Sequence, residues 1–272
     1  MELYNEDCLE RLKKIPDKSI DLIFNDLPYG QTSCKWDSII DIDELWKQYK
    51  RIRKDTTPIF FTCSTKFGHS LISANKKEFR YDLVWAKSAP CGFLNAKKMP
   101  MKKHEMVYVF YKKLPYYNLS SHKHKFIDEL KIIKTDKKSI YSRNDYLVYK
   151  KRQNSESAYD PPLPTSVIKT DLYSVKNKKD KRELIREQPN KYDPPLPNSI
   201  LEIKSQKGKH STQKPDELME WILKYYSKEE DIVLDPTMGS GSMGVACKKM
   251  NRKFIGIEKD EEIFKVAQER IN

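Results

Sequence analysis

The chain has 272 residues, of which 38% are hydrophobic and 33% charged, and its formal net charge is +13; this length suits one large α/β domain with an insertion, or two small domains. No apolar run approaches the ~20 residues of a membrane span, and Glu2 follows Met1 directly, so neither a membrane helix nor a secretory signal is expected. The 5 Cys are scattered without a Cys-x-x-Cys pair, which predicts reduced thiols, a cytoplasmic location and no bound metal.

The N-terminal part of the chain alternates predicted strands and helices. Short apolar runs predict strands at residues 2–6, 20–24, 58–63, 81–85 and 106–111. Apolar residues at helical spacing predict helices at residues 7–15, 43–53 and 66–76. Such alternation favours a mostly parallel sheet. The last two strands are expected to form an antiparallel pair, joined by a loop over residues 87–104 without a helix.

A carboxylate, a proline and an aromatic residue follow the second predicted strand directly. Residues 25–30 read Asn-Asp-Leu-Pro-Tyr-Gly. Pro28 fixes its own φ and biases Leu27 towards an extended conformation, so the nearby carbonyls are not all used in regular hydrogen bonding. The Asp26 carboxylate, the Leu27 carbonyl and the Tyr29 ring could together hold a flat heterocycle with an exocyclic amine. An ordinary strand end with a proline turn is the alternative.

The positive charge is concentrated in the middle of the chain. Residues 112–214 carry +12 of the total of +13. Basic clusters such as Lys150, Lys151 and Arg152 can contact phosphates, and the tyrosines interspersed with them can stack on bases. We therefore predict a nucleic-acid-binding insertion at residues 113–204. A disordered, lysine-rich loop is the alternative.

The C-terminal part contains the pattern of a nucleotide-binding unit. A helix is predicted at residues 216–226, and a strand at 232–234 then runs into a glycine-rich turn, a helix at 243–250 and a strand at 254–257. Three of the 8 Gly fall between residues 239 and 244, where they allow the backbone to approach a ligand closely. Glu258 ends the last strand and could accept hydrogen bonds from ribose hydroxyls.

These segments together resemble the amino-group DNA methyltransferases. Residues 26–29 (Asp-Leu-Pro-Tyr) are similar to that family's Asp-Pro-Pro-Tyr catalytic motif, and residues 235–241 (Asp-Pro-Thr-Met-Gly-Ser-Gly) to its S-adenosylmethionine loop. Residues 210–215 (His-Ser-Thr-Gln-Lys-Pro) are similar to the segment preceding that loop in the β class, in which the catalytic motif comes first. Shorter matches extend the resemblance over residues 1–112 and 205–272, and include residues 61–63 and 104–105.

The resemblance implies an α/β fold of the S-adenosylmethionine-dependent (Rossmann-like) methyltransferases, with a mixed, mostly parallel sheet that is circularly permuted and carries an inserted target-recognition region. It implies a catalytic half at residues 1–112, a target-recognition insertion at 113–204 and a cofactor-binding half at 205–272. The implied catalytic residues are Asp26, Leu27, Pro28 and Tyr29. The implied cofactor-binding residues are Asp7, Thr212, Lys214, Asp235, Pro236, Gly239, Gly241 and Glu258. Lys150, Lys151 and Arg152 are assigned to DNA.

The implied activity is methyl transfer from S-adenosylmethionine to adenine N6 in double-stranded DNA. In the resembled family an Asp at the first motif position goes mostly with adenine and a Ser with cytosine. Leu27 replaces the usual first proline, and this exchange is expected to be tolerated because the residue acts through its carbonyl. An N4-cytosine methyltransferase, an RNA or protein methyltransferase, and a DNA-binding module with an inactive cofactor site are the alternatives. A homodimer partner and a cognate restriction endonuclease are also considered.

Overall fold

The computed structural model describes residues 1–28, 40–121 and 214–272, and short stretches at 123–124, 131–132, 147–148, 159–160 and 167–169. The chain divides into two compact units. One unit comprises Met1–Tyr117 and Ser166–Asn272, and the other comprises Asn118–Thr165. The domain boundaries proposed from the sequence stay predictions.

The described residues form twelve strands and six α-helices. The strands are β1 (Glu2–Tyr4), β2 (Leu22–Asn25), β3 (Ile59–Cys63), β4 (Phe79–Cys91), β5 (Lys102–Phe110), β6 (Lys123–His124), β7 (Lys131–Ile132), β8 (Leu147–Val148), β9 (Tyr159–Asp160), β10 (Val167–Lys169), β11 (Ile232–Asp235) and β12 (Lys253–Ile257). The helices are α1 (Cys8–Leu12), α2 (Ile42–Ile52), α3 (Thr65–Ala74), α4 (Asp216–Tyr226), α5 (Ser242–Lys249) and α6 (Glu261–Ile271). Within the second unit, β6 pairs with β9 and β7 with β8, both antiparallel.

The first unit is built on one eight-stranded sheet with the order β1-β12-β11-β2-β3-β5-β4-β10. Among the described pairings of this sheet, β5 is antiparallel to β3 and β4, and every other neighbouring pair is parallel. The predicted mixed, mostly parallel α/β sheet is therefore confirmed. Within the described ranges, no helix is both long and apolar enough to cross a membrane.

Burial explains why these segments form the core of the sheet. All residues of β2 and β3 are buried, which fits central strands covered on both faces. The apolar stripe of α2 lies in the same core, with Trp46 packed against Phe61 and Phe110. Asp41 begins α2 by accepting hydrogen bonds from two backbone N–H groups of its first turn.

Two features differ from the sequence-based prediction. The loop predicted at residues 87–104 is shorter in the structure and spans residues 92–101, because β4 continues to Cys91 and β5 begins at Lys102. Pairing between these two strands supplies hydrogen bonds that local propensity does not reveal, and a register shift after Ala86 accommodates the irregular sequence. In addition, β10, which lies inside the predicted insertion, adds to the main sheet alongside β4.

The strand order creates a switch point between β11 and β2. From β11 the chain continues to β12 on one side, and from β2 it continues to β3 on the other side. In open α/β sheets, ligands bind outside the carboxyl ends of the strands at such a point. Asp26 follows β2, Asp235 ends β11 and Glu258 follows β12, so three predicted site residues meet at this edge.

Candidate active site

Asp26 is held at the switch point by hydrogen bonds from two neighbouring segments. Thr62 on β3 donates its hydroxyl to Asp26 Oδ1 at 2.8 Å. Thr237, in the loop after β11, donates its hydroxyl to the Asp26 main-chain carbonyl at 3.2 Å. The predicted catalytic turn and the predicted cofactor loop are therefore directly joined.

The residue before Asp26 fixes the start of the turn. Asn25 is fully buried, and its amide donates to the Phe60 carbonyl at 3.0 Å. The Tyr49 hydroxyl of α2 donates to the other side of the same amide, at Asn25 Oδ1. These bonds satisfy the buried amide and set the direction in which the chain leaves β2. Leu27 then packs its side chain into the core, so the side chain anchors the turn.

Lys214 lies beside the Asp26 carboxylate, the predicted catalytic group. Its Nζ is 2.5 Å from Asp26 Oδ2, and its side chain is only 13% exposed. Burial lowers the pKa of Lys214, but the carboxylates of Asp26 and Glu105 outweigh burial and raise the pKa above its ordinary value. The sequence resemblance assigned Lys214 to the cofactor, whereas the structure brings its ammonium group to the carboxylate of Asp26 in the predicted catalytic turn.

Glu105 on β5 extends this charged cluster. Its Oε1 forms an ion pair with Lys87 Nζ, and its Oε2 lies 3.7 Å from Lys214 Nζ. Among the described residues, no donor lies within hydrogen-bond distance of Oε2, although that oxygen is buried. Burial raises the pKa of Glu105, but Lys214 and Lys87 outweigh it, and the pKa lies below its ordinary value.

The ionic row is thus Lys87, Glu105, Lys214 and Asp26, with Thr62 at its end. Thr62 and Glu105 lie in short segments that match the family pattern, but the match gives neither residue a role. Apart from that match, the signal for Glu105 in the sequence is an acidic residue just before an apolar run. Its distance from Asp26 in sequence hides the connection, which depends on the antiparallel placement of β5 beside β3.

Glu258 and Gly239 form the opposite side of the site. The Gly239 N–H donates to Glu258 Oε2 at 3.0 Å, and the Asp260 N–H donates to Oε1 at 2.9 Å. Gly239 has a φ of +51°, and no described atom would lie within 4 Å of a Cβ at this position. The backbone here is therefore open to close approach by a ligand. Each carboxylate oxygen of Glu258 keeps a further lone pair.

The other predicted cofactor residues near this loop shape it from within. Asp235 is buried and accepts from the Thr237 N–H at 3.2 Å. Burial, together with the charges of Asp26 and Glu258, raises the pKa of Asp235 well above its usual range. Gly241 has a φ of +81°, and a Cβ there would lie 2.8 Å from Ile271. The structure thus gives Gly241 a packing role against α6, while Gly239 faces open space.

Asp7 and Pro236 complete the described part of the predicted set. Asp7 caps α1, because its Oδ1 accepts from the Leu9 N–H at 3.0 Å, and its Oδ2 lies 3.2 Å from Lys259 Nζ. Pro236 is buried next to Asp235, and Pro28 follows Leu27 at the exit of the turn. The other predicted site residues lie outside the described residues: Tyr29, Lys150, Lys151, Arg152 and Thr212. In the described part of the chain, no cluster of His, Cys, Asp and Glu is suited to hold a metal ion.

Comparison with known proteins identifies the family. A model of the N6/N4 DNA methylases, described as DNA methylase, matches residues 20–269. The chain belongs to this family. The Type II methyltransferase M.HinfI of Haemophilus influenzae is 28% identical over 292 aligned positions, covering 97% of this chain and 66% of that protein. M2.LlaDCHI of Lactococcus lactis subsp. cremoris is 49% identical over 65 residues, 24% of each chain.

This methylase also shares its fold with solved structures. An M1.HpyAVI–SAM complex aligns over 100% of this chain and 99% of that chain, with 20% identity and a TM-score of 0.57. The PvuII DNA methyltransferase, described as cytosine-N4-specific, aligns over 99% and 86%, with 14% identity and a TM-score of 0.62. The predicted family and methyltransferase fold are confirmed, and the cofactor in the M1.HpyAVI structure agrees with the predicted one. This chain spans less than two thirds of the length of the curated relatives named above.

We propose that the open backbone at Gly239 and the carboxylate of Glu258 bind the nucleoside part of S-adenosylmethionine. We expect Glu258→Ala to weaken cofactor binding roughly 10- to 100-fold, the range of one or two lost charge-assisted hydrogen bonds, with little change in turnover at saturating cofactor. Isothermal titration calorimetry measures the affinity. Glu261→Ala, a neighbouring exposed carboxylate on α6, is the matched control. Equal affinities for the two variants would contradict the assignment of Glu258.

Proposed function

We propose that this protein is a site-specific DNA methyltransferase that transfers a methyl group from S-adenosylmethionine to adenine N6 in duplex DNA. The observation that carries the proposal is the placement of the Asp26 carboxylate at the switch point, joined through Thr237 to the glycine-rich loop. A carboxylate in this position suits an exocyclic amine, because it accepts N–H bonds and stabilises positive charge. Its identity as Asp favours adenine by family resemblance.

S-adenosylmethionine supplies an electrophilic methyl group carried on a sulfonium centre. The target amine is a weak nucleophile, because its lone pair is delocalised into the aromatic ring. If the Asp26 carboxylate and the Leu27 carbonyl accept its two N–H bonds, the nitrogen can become pyramidal and expose the lone pair. The carboxylate also stabilises the positive charge that develops on nitrogen. Alignment of the amine with the methyl group provides a further part of the rate enhancement.

The ionic row prepares Asp26 for this role. Lys214 on Oδ2 and Thr62 on Oδ1 hold the carboxylate in one orientation. Each carboxylate oxygen can accept two hydrogen bonds, and in the proposed complex the amine supplies one of them. The excess proton on the methylated nitrogen needs no strong base to remove it, because alkylation makes that nitrogen acidic. Lys214 and Thr62 are thus positioning residues, and Asp26 is the group that touches the substrate.

The target base must leave the duplex to reach Asp26. Extrusion costs a few kcal/mol, and a base stacked on the ring of Tyr29 would recover about 1–3 kcal/mol. The positive charge of residues 112–214 supports a DNA partner for the insertion. We further propose that the enzyme acts in the cytoplasm, with a homodimer and a cognate restriction endonuclease as candidate assemblies. Light scattering tests whether the homodimer forms.

Neutralising Lys150, Lys151 and Arg152 together is expected to weaken DNA binding uniformly across sequences. Each lost phosphate contact should reduce the slope of log affinity against log salt by roughly 0.9. Fluorescence anisotropy with a labelled duplex at several salt concentrations measures this slope. An unchanged slope would show that these three residues do not contact the DNA phosphates.

Mass spectrometry of nucleosides tests the proposed function directly. Plasmid DNA is incubated with the protein and S-adenosylmethionine, digested and analysed for methylated bases. N6-methyladenine is the expected product, and sequencing of the methylated DNA then gives the recognition site. N4-methylcytosine would keep the mechanism and overturn the choice of base. Absence of both, with cofactor binding demonstrated separately, would turn the proposal towards RNA or protein substrates.

A further inference from the structure

The tip of the β4–β5 hairpin presents large apolar side chains to solvent. Phe93 is 77% exposed and Leu94 is 94% exposed. Both lie in a 3₁₀ turn, Phe93–Asn95, which follows Gly92 in the left-handed region at a φ of +89°. Two adjacent apolar residues in water have no stabilising role within the described fold, which suggests a role in contact with another molecule.

The shape of this tip is well defined. The Asn95 N–H donates to the Gly92 carbonyl at 3.0 Å, and the Ala96 N–H donates to the Phe93 carbonyl at 3.0 Å. The Lys98 N–H continues the turn by donating to the Asn95 carbonyl at 2.8 Å. Ala96 is buried, so the turn is anchored on the fold while Phe93 and Leu94 face outward.

The hairpin segment that carries the tip has charged side chains of positive sign only. Between Asp82 and Glu105 the sequence contains five lysines and no acidic residue. Lys97 and Lys98 are exposed and follow the apolar pair after Asn95 and Ala96. An apolar tip with a cationic rim is complementary to nucleic acid, which combines an anionic backbone with an apolar base stack. A second copy of the same hairpin is disfavoured as the partner, because it would bring like charges together.

The hairpin rises from the edge of the sheet at which Asp26 lies. Strand β4 is parallel to β2 and β3 in direction, so its carboxyl end leaves the sheet at that edge. Three strand spacings separate β2 from β4, which is on the order of 14 Å. The major groove is ~12 Å wide, so one duplex can reach both the catalytic turn and the tip. Glu105, on the same hairpin, anchors it to the ionic row.

We propose that residues 92–101, here called the hairpin tip, contact the duplex next to the target base. Phe93 and Leu94 would pack against the base pairs that extrusion leaves unstacked, and Lys97 and Lys98 would contact the adjacent phosphates. The proposal rests on the proposed function, since it assigns the surface through which the same active site holds its substrate. It concerns a binding contact and adds no chemical step.

Phe93→Ser/Leu94→Ser is the main test variant. On a duplex containing the recognition site, we expect kcat/KM to fall roughly tenfold, the order expected for losing one stacking partner. On the same duplex with a mismatched target adenine, the loss should be much smaller, because extrusion is already easier. The fluorescence rise of 2-aminopurine at the target position should fall in parallel. Lys97→Ala/Lys98→Ala should lower the salt slope by roughly 1.8, for two phosphate contacts.

Matched controls come from the opposite edge of the sheet. Leu114, which follows β5 at that edge, is 78% exposed, so Leu114→Ser removes a comparable apolar side chain. Lys76→Ala/Lys77→Ala removes two adjacent exposed lysines just before β4 begins. Neither control should change kcat/KM or the salt slope.

If Phe93→Ser/Leu94→Ser matches Leu114→Ser on both duplexes, the proposal is wrong. It is also wrong if that variant changes only the self-association seen by light scattering, since the tip then binds protein. Anisotropy and light scattering need no turnover, so they separate this proposal from the proposed function. If the wild-type protein makes no methylated base, while the tip variants still bind DNA more weakly than the wild type, the proposed function alone is overturned.

Discussion

Asp26→Ala is expected to lower turnover by about a thousandfold or more, as the loss of the main transition-state charge contact implies. Cofactor affinity should stay nearly unchanged, because Thr237 of the predicted cofactor loop bonds to the main-chain carbonyl of Asp26, which the substitution retains. Single-turnover methylation of duplex DNA measures the chemical step. Calorimetric titration with S-adenosylmethionine measures the binding step separately.

Two further variants sharpen this test. Asp26→Asn keeps the size and one oxygen acceptor but removes the charge, so its turnover should also be strongly reduced. Asp82→Ala removes an exposed carboxylate from β4 and should leave turnover unchanged. Turnover retained in Asp26→Ala would place the catalytic group elsewhere. Loss of cofactor binding together with turnover would mean that the variant disturbs the fold of the loop.

Lys214→Met is expected to have the second-largest effect, on both stability and activity. The variant leaves two largely buried carboxylates, Asp26 and Glu105, without the cation between them. Removing one partner of a buried ion pair costs about 3–5 kcal/mol, which denaturant unfolding measures. Turnover near neutral pH should fall roughly 100-fold, an effect equivalent to about 2.7 kcal/mol.

The pH dependence of turnover tests the role of Lys214 in the ionic row. Lys214 and Lys87 keep the pKa of Glu105 below its ordinary value against burial, so removing Lys214 raises that pKa because one of the opposing cations is lost. The cluster should take up a proton at higher pH than in the wild type, and the acidic limb of the rate profile should move upward in pH. In the wild type, the stability that Glu105 contributes is present above its unfolded-state pKa and is lost as the pH falls through its lower folded-state pKa.

Lys87→Met is the matched control for this variant. It removes a cation from Glu105 Oε1 but leaves the contact between Lys214 and Asp26 intact. Its effect on turnover should therefore be clearly smaller. Lys214→Met could instead lose cofactor affinity while the acidic limb of its rate profile stays unshifted. That outcome would favour the cofactor-binding role that the family resemblance implies for Lys214.

Local sequence patterns were sufficient for most of the fold. The helix predicted at residues 216–226 is α4, and α2 lies within one residue of its prediction, because apolar periodicity is strong in both. Asp26 and Gly239 could also be identified from local sequence, since a Pro-containing turn and a glycine-rich turn each consist of consecutive residues. Tyr29 and Thr212 lie outside the described residues, and their roles stay predictions.

Local patterns in the sequence predicted most helices and strands of the main sheet and the two special turns, and with them the family. Which distant residues meet depends on the tertiary structure. Lys214 reaches Asp26 across 188 positions of the chain, and Glu105 approaches both because β5 is antiparallel to β3. Sequence periodicity reports which face of an element is buried, but strand order and register set the distances between side chains, and those depend on packing of the whole sheet.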